Sequence, residues 1–460
     1  MGTVVIMSRR SASQQLSSSS ETASESGSRL NRRRVLATTA GATSLSLAGC
    51  LSSYETIGSS DDEEPITIGV LAPQPKSDYV GRSMERAAAL AVDELNEDGG
   101  LLGRDVELVV GDTNGSPLEA KREYQRLVLE ENADVTTGVF DSLALRNIMD
   151  DIAEQETIHL TSGAATTAAS QLVAEDYERY KYHFRVGPTN DRHLGQAQVD
   201  FVDAVADDVG WESVALLAED YEWSREPWDV ITETLEETGV DIAMDERYPP
   251  ATNDFSEIYE SVADAGADMA LIAAAHTGND ALLDWSYPNK PEVPPQPQPF
   301  AFGGIHVPLQ MPGYYDQTDG ACEYAIGVIS ATADSEFPGG TGAFVDAYQK
   351  KHDGATPVYT GYHTYDAVTV FADVVADRET LETDELISAL EAVTFDGVIG
   401  TVEFYDETNP YPHDLVYVEE ETLFFQWQET DDGEGVQEII WPEEHATTNA
   451  HGEYVTPEWL

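Results

Sequence analysis

Short, largely apolar runs of strand length alternate with amphipathic stretches of helical period along most of this chain. That alternation leaves few architectures open. Ile66–Ala72 reads as a strand, and Ser83–Leu95 then sets Met84, Ala87, Ala88, Ala91 and Leu95 at helical spacing with acids opposite. Gly99-Gly100 supplies a stop. The pattern repeats as strands over 106–110, 133–140 and 157–160, with helices over 117–130 and 143–155. Past a break at Val186–Asn190, helices over 193–209, 227–237 and 255–265 alternate with strands over 213–218, 240–246 and 269–274. Buried strands separated by helices predict an α/β fold: parallel sheets covered on both faces, doubly wound. Two halves of five or six strands each suit 460 residues better than one long sheet.

The remainder is less regular. Residues 287–299 hold six prolines and read as a polyproline-like surface excursion. Strands are expected over 300–303 and 325–331, and helices over 344–351, 362–377 and 384–392. The last sixty residues turn to strands, over 401–404, 415–418, 423–428 and 436–440.

Charge narrows the partners. Eighty-six Asp and Glu against 24 Lys and Arg give a formal charge of -62, spread along the whole chain. Phosphate backbones and anionic lipid surfaces would be repelled at every approach, so nucleic acid is excluded. Only six of the bases are lysine. Such a coat suits a folded protein in molar salt, where the Debye length is about 3 Å and self-repulsion is screened. The reading is a protein of a salt-adapted archaeon.

The first fifty residues read as an address. Asn31-Arg32-Arg33-Arg34-Val35-Leu36 is followed by a small-residue apolar run and closes on Leu47-Ala48-Gly49-Cys50. A basic region, a short apolar region and small residues before a cut describe a secretory signal. The paired arginines resemble the twin-arginine signal, and the final four residues resemble a lipobox. Residues 1–49 are then a removable signal peptide, Cys50 the lipidated N-terminus, and 50–65 a flexible acidic tether. The expected location is the outer face of the cell membrane, touching lipid only through that anchor. Cys322 is left as a lone thiol with a packing role.

Catalytic and metal motifs are missing. There is no G-x-S-x-G elbow, no phosphate loop with Gly-Lys-Ser/Thr, no H-E-x-x-H and no paired C-x-x-C. Ten histidines do not cluster at ligand spacing. No enzymatic activity and no cofactor are expected.

Several local patterns, taken in order, resemble the solute-binding proteins of ABC importers, in the branched-chain amino acid and amide group. They include Ala88–Asn96 with Gly99–Arg104, Val109–Asp112, Thr137–Ser142, Leu160–Thr166, Phe184–Gly187, Glu219–Ser224, Asp254–Ser256 and Tyr362–Ala367. The resemblance covers roughly residues 66–428. It implies the periplasmic binding protein type I fold: two Rossmann-like lobes joined by a three-strand hinge and closing on a ligand. Lobe one would be 66–188 with 332–412, and lobe two 189–331 with 413–460.

The resemblance also implies a site. Ser142 and the turn Gly163, Ala164, Ala165, Thr166 match the groups that hold an amino acid's carboxylate, although Ser142 would equally serve as a helix N-cap. Tyr79 matches, within one position, an aromatic that covers the ligand. Tyr221 and Trp223 match an aromatic loop of the second lobe, and read otherwise as surface aromatics beside a helix start. The ammonium side departs from the pattern: the matching places hold Ala275 and Ile305, followed by His276 and His306. Either another acid such as Asp141 or Asp220 substitutes, or the ligand has no ammonium, which admits amides, urea-like compounds and carboxylates. The implied function is capture of a small polar solute by a monomer that delivers it to permease transmembrane subunits. A sensory module for a membrane signalling partner uses the same fold. A secreted hydrolase is the remaining alternative.

Overall fold

A computed structural model describes residues 64–287, 297–446 and 453–460. The signal peptide, Cys50, most of the tether, His451 and the greater part of the proline-rich stretch lie outside these residues. Strands β1 (Ile66–Ala72), β2 (Val106–Asp112), β3 (Val135–Gly138), β4 (His159–Thr161) and β5 (His183–Arg185) form a parallel sheet in the order β2-β1-β3-β4-β5. A second sheet holds β6 (Ser213–Glu219), β7 (Asp241–Tyr248), β8 (Met269–Ala274), β9 (Ala301–His306), β10 (Ile326–Ile329), β13 (Leu423–Glu429) and β14 (Gly435–Trp441). Its order is β14-β13-β10-β9-β8-β6-β7; only β13 runs against the other strands, so that its pairings with β10 and β14 are antiparallel and the rest are parallel. A small hairpin, β11 (Phe395–Gly397) and β12 (Gly400–Val402), stands apart. The fold is mixed α/β with parallel sheets, and the second sheet gains a strand over expectation from the C-terminal pair.

The helices of seven residues or more are α1 (Tyr79–Glu97), α2 (Pro117–Leu129), α3 (Ser142–Gln155), α4 (Ala168–Glu175), α5 (Asp191–Val209), α6 (Arg225–Thr234), α7 (Ser256–Ala265), α8 (Asp280–Ser286), α9 (Thr341–Lys351), α10 (Tyr359–Arg378) and α11 (Thr383–Leu390). Local chemistry sets their ends. Asp78 caps α1 by accepting from the Val80 and Gly81 amides at 2.9 and 3.4 Å. The chain leaves α1 through Gly99 and Gly100 at φ 102° and 78°; a Cβ on Gly100 would lie 1.9 Å from the Arg104 carbonyl oxygen. Every residue of β1 and β8 is buried, as strands covered on both faces require.

The chain passes between the sheets three times. Residues 186–190 run from β5 to α5, 330–332 leave β10, and 403–422 return to β13. After β10, α10 packs on α1, where the Val358 amide donates to Ser83 Oγ at 3.1 Å and Thr360 Oγ1 to the Val80 carbonyl at 3.4 Å. Residues 415–418, expected as a strand, make only a single bridge, Leu415 to Phe404.

The crossings are fastened by a fully buried ion pair. Arg185 Nε lies 2.8 Å from Asp414 Oδ1, and neither side chain is exposed to solvent. The Arg185 fork also donates to the carbonyls of Ala164 and Thr166, the latter at 2.6 Å. Asn190 Nδ2 donates to Asp414 Oδ2 at 2.9 Å, and Ser170 Oγ donates to Oδ1. Only such saturation makes two dry charges tolerable. Among the described residues Cys322 has no disulfide partner; it is buried, and burial pushes its thiol up to about 12.

Candidate functional site

The carboxyl ends of strands from both sheets converge on one cleft of about 990 Å³, its mouth included. Such ends, with the helix N-termini that follow them, are where open α/β sheets leave polar backbone unpaired. From the five-stranded half come Phe140 and Ser142, after β3, and Gly163 and Ala165, after β4. From the seven-stranded half come Trp223 after β6, Ala275 and His276 after β8, and Ile305 on β9. The crossing segments add Pro188, Thr189, Ser330 and Tyr417.

Asp141, not Ser142, caps α3. Its Oδ1 accepts from the Leu143 and Ala144 amides at 2.8 and 3.1 Å, so the cap leaves the Ser142 hydroxyl unused beside the cleft. The other oxygen, Oδ2, reaches the opposite half: Tyr221 Oη donates to it at 2.8 Å, and His276 Nε2 lies 3.4 Å away. The ring of Tyr221 rests on that of His276, with centroids 4.4 Å apart. A second contact between the halves joins Arg146 to Glu222.

Beneath His276 stands Glu219, the last residue of β6 and wholly buried. Its Oε1 accepts from His276 Nδ1 at 2.7 Å and Trp223 Nε1 at 2.5 Å. Its Oε2 accepts from the His276 amide at 2.9 Å and Thr277 Oγ1 at 3.2 Å. Both ring nitrogens of His276 therefore face carboxylate oxygens, and only the imidazolium has two donors. Burial alone would lower its pKa, but the hydrogen bonds and charges of Asp141 and Glu219 raise it to about 9. Burial pushes both carboxyls up, yet the bonds from His276, with Tyr221 for Asp141 and Trp223 for Glu219, leave them below their ordinary values.

The structure thus gathers seven of the residues expected from sequence around one cleft: Ser142, Gly163, Ala165, Trp223 and His276 on the wall, with Asp141 and Tyr221 bonded to its rim. It sets four elsewhere. Ala164 and Thr166 do not line the cleft, and their carbonyls accept from the Arg185 fork. His306 is buried with Nε2 3.1 Å from the Gly278 carbonyl and its ring edge-on to Phe302; burial pulls it down to about 4. Strand alternation gives the cleft to Ile305 and turns its neighbour away. Tyr79 lines a different recess, with Arg82, Arg86 and Met311. Asp220, the other acid considered, is exposed and faces Arg247 at 3.5 Å.

Sequence reasoning missed Glu219. An acid ending an otherwise apolar strand is a detectable signal, but 86 carboxylates drowned it. It also missed Phe140, Gln310, Tyr359 and His363 as wall residues. Among the described residues, no group of three His, Cys, Asp or Glu side chains could hold a metal ion, and no helix is long and apolar enough to cross a membrane.

Three comparisons agree with this geometry. Residues 65–421 match the periplasmic binding protein family model. A Leu/Ile/Val-binding protein homologue of Brucella melitensis is 25% identical over 284 residues, 60% of this chain and 68% of its own. A solute-binding protein of an ABC transporter from Rhodopseudomonas palustris, solved with 3,4-dihydroxybenzoic acid, superposes with a TM-score of 0.66 at 18% identity, covering 84% of this chain and 98% of that one. The branched-chain amino acid transporter substrate-binding protein of Streptococcus pneumoniae, solved with isoleucine, gives 0.65 at 18% identity, over 82% of this chain and 100% of that one. With the family model matching most of the chain, and two sheets converging on one cleft, the protein belongs to the periplasmic binding protein family.

Proposed function

We propose that this protein is the extracytoplasmic substrate-binding lipoprotein of an ABC importer. It is exported by the twin-arginine route, anchored through Cys50, and monomeric. It captures a small solute between two lobes, 66–188 with 332–412 and 189–331 with 413–460, and hands it to the permease. Molar salt is its working solvent. The observation that carries this reading is the cleft itself: its walls come from both sheets, and its rim is bridged by a hydrogen bond from Tyr221 and an ion pair from His276 to Asp141. A ligand touching both walls favours the closed arrangement by the contacts it adds there, which is how a binding protein reports occupancy. Ligand classes in view are those of the relatives, an amino acid or an aromatic acid, together with amides and urea-like compounds.

A thermal-shift screen of these classes in molar KCl tests the proposal. A bound solute raises the melting temperature through linkage. Ser142→Phe, which fills the cleft from α3, should keep the fold and lose the shift. If no class moves the transition, or if Ser142→Phe responds like the wild type, the cleft is not a solute site.

A further inference from the structure

We infer that the recess beside Tyr79 is a second binding site, which holds a small, doubly charged oxyanion of the sulfate or phosphate kind on Arg82 and Arg86. The inference goes beyond solute capture in the cleft and does not depend on it.

The recess has a volume of about 990 Å³, its mouth included, and shares no wall residue with the cleft. Arg82 and Arg86 of α1, Tyr348 of α9 and Thr356 line one side, and Met311 and Gln317, from the segment after β9, line the other. Residues four apart on a helix share one face, with Cβ atoms about 6 Å apart. At that spacing one tetrahedral anion can offer separate oxygens to both guanidinium forks.

A missing counter-charge singles these two arginines out. Most described arginines face a carboxylate, from the exposed Arg122 to the buried Arg185. Arg82 and Arg86 are half-buried, and among the described residues neither forms an ion pair. No described Asp or Glu lines the recess, in a chain that carries 86 of them. Arg82 spends Nη2 on the Ser77 carbonyl at 3.1 Å, which leaves most of its five N–H donors over. Burial raises the Tyr348 phenol, while Ser83 and the charges of Arg86 and Arg82 pull it back, so both cations are felt at one hydroxyl of the wall. Thr356 Oγ1 accepts from Gln349 Nε2 at 3.0 Å and keeps its own O–H to donate. The wall thus offers donors and positive charge without a competing carboxylate.

The formal charge of -62 does not forbid an anion here. In molar salt the Debye length is about 3 Å, so distant carboxylates are screened and the charges inside the recess decide. Two positive charges call for two negative ones. Chloride, the abundant competitor, brings one charge and no separate oxygens for the two forks.

Equilibrium dialysis of the full chain against radiolabelled sulfate, in molar KCl, tests the inference. One sulfate per chain should bind, and inorganic phosphate should displace it. Arg82→Gln and Arg86→Gln should each weaken binding at least tenfold, the loss of a hydrogen bond to a charged group. Gln317→Glu brings a like charge from the opposite side and should weaken it too, leaving both arginines in place; it also guards against an arginine variant that misfolds. Arg378→Gln, at the far end of α10, should bind as the wild type does. The inference is overturned if sulfate does not bind saturably, if the arginine variants or Gln317→Glu keep the wild-type affinity, or if Arg378→Gln loses as much as they do. Loss of sulfate in Ser142→Phe but not in the arginine variants would place the anion in the cleft and overturn it as well.

Discussion

Replacing His276 with glutamine probes the network that joins the two halves. In the folded protein His276 holds its proton up to about pH 9, against an ordinary value of 6.5. That difference corresponds to roughly 3 kcal/mol of stability. The folded pKa is raised, so this contribution is complete below pH 6.5 and disappears as the pH climbs through 9. Asp141 and Glu219 are depressed below 3.8 and 4.5, so theirs is present above those values and lost as the pH falls through the folded ones. The network is strongest between about pH 5 and 6.5. Glutamine can donate to only one of the two carboxylates it would face. At pH 6 the variant should be less stable by roughly 3 kcal/mol, about 4 °C for a body of this length. Near pH 10 the two proteins should melt together. Paired circular-dichroism melts across this range, in molar KCl to screen exposed pairs, give the answer. A constant offset between wild type and variant from pH 6 to 10 would refute the charged-histidine account, as would an imidazole seen by NMR to titrate near 6.5.

Other outcomes follow from the same structure. Asp414→Ala strands the Arg185 guanidinium in a dry site and should cost about 3–5 kcal/mol in chemical denaturation, whereas a double replacement by apolar residues of similar size should recover most of it. Gly187→Ala places a Cβ about 2.5 Å from the His363 ring, and the overpacking should lower stability by about 1–3 kcal/mol, read from the denaturation midpoint. Raising KCl from about 0.1 to 2 M should raise the melting temperature steadily, because the formal charge of -62 is screened; a flat response would show that self-repulsion is unimportant.

Much of the architecture was legible because the buried strands carry their own signature. β1 and β8 fall on the residues that apolar run length indicates, and helix boundaries move by a few residues where caps such as Asp78 and Asp141 lie just before the periodic stretch. β5 was not legible as a strand. His183-Phe184-Arg185 is short and polar, and it is buried only because Asp414, 229 positions away, neutralises Arg185 while His413 stacks on Phe184 at 4.0 Å. The converse failure is 415–418, whose apolar alternation serves the cleft wall instead of a sheet. At the site, residues following strand ends were found because the α/β layout puts ligands there. Which neighbour faces the cleft depended on register, and a shift of one residue separated Ile305 from His306 and Asp141 from Ser142. Glu219 became visible only when the loop after β8 folded His276 onto it.

The cleft is proposed to bind one small solute per chain. Calorimetric titration of the wild type and Ser142→Phe, in molar KCl, reads both stoichiometry and location. One site per chain is expected in the wild type and none in the variant, with the two free proteins melting alike. Equal binding by both proteins, or no heat from any amino acid, acid, amide or urea, would contradict it.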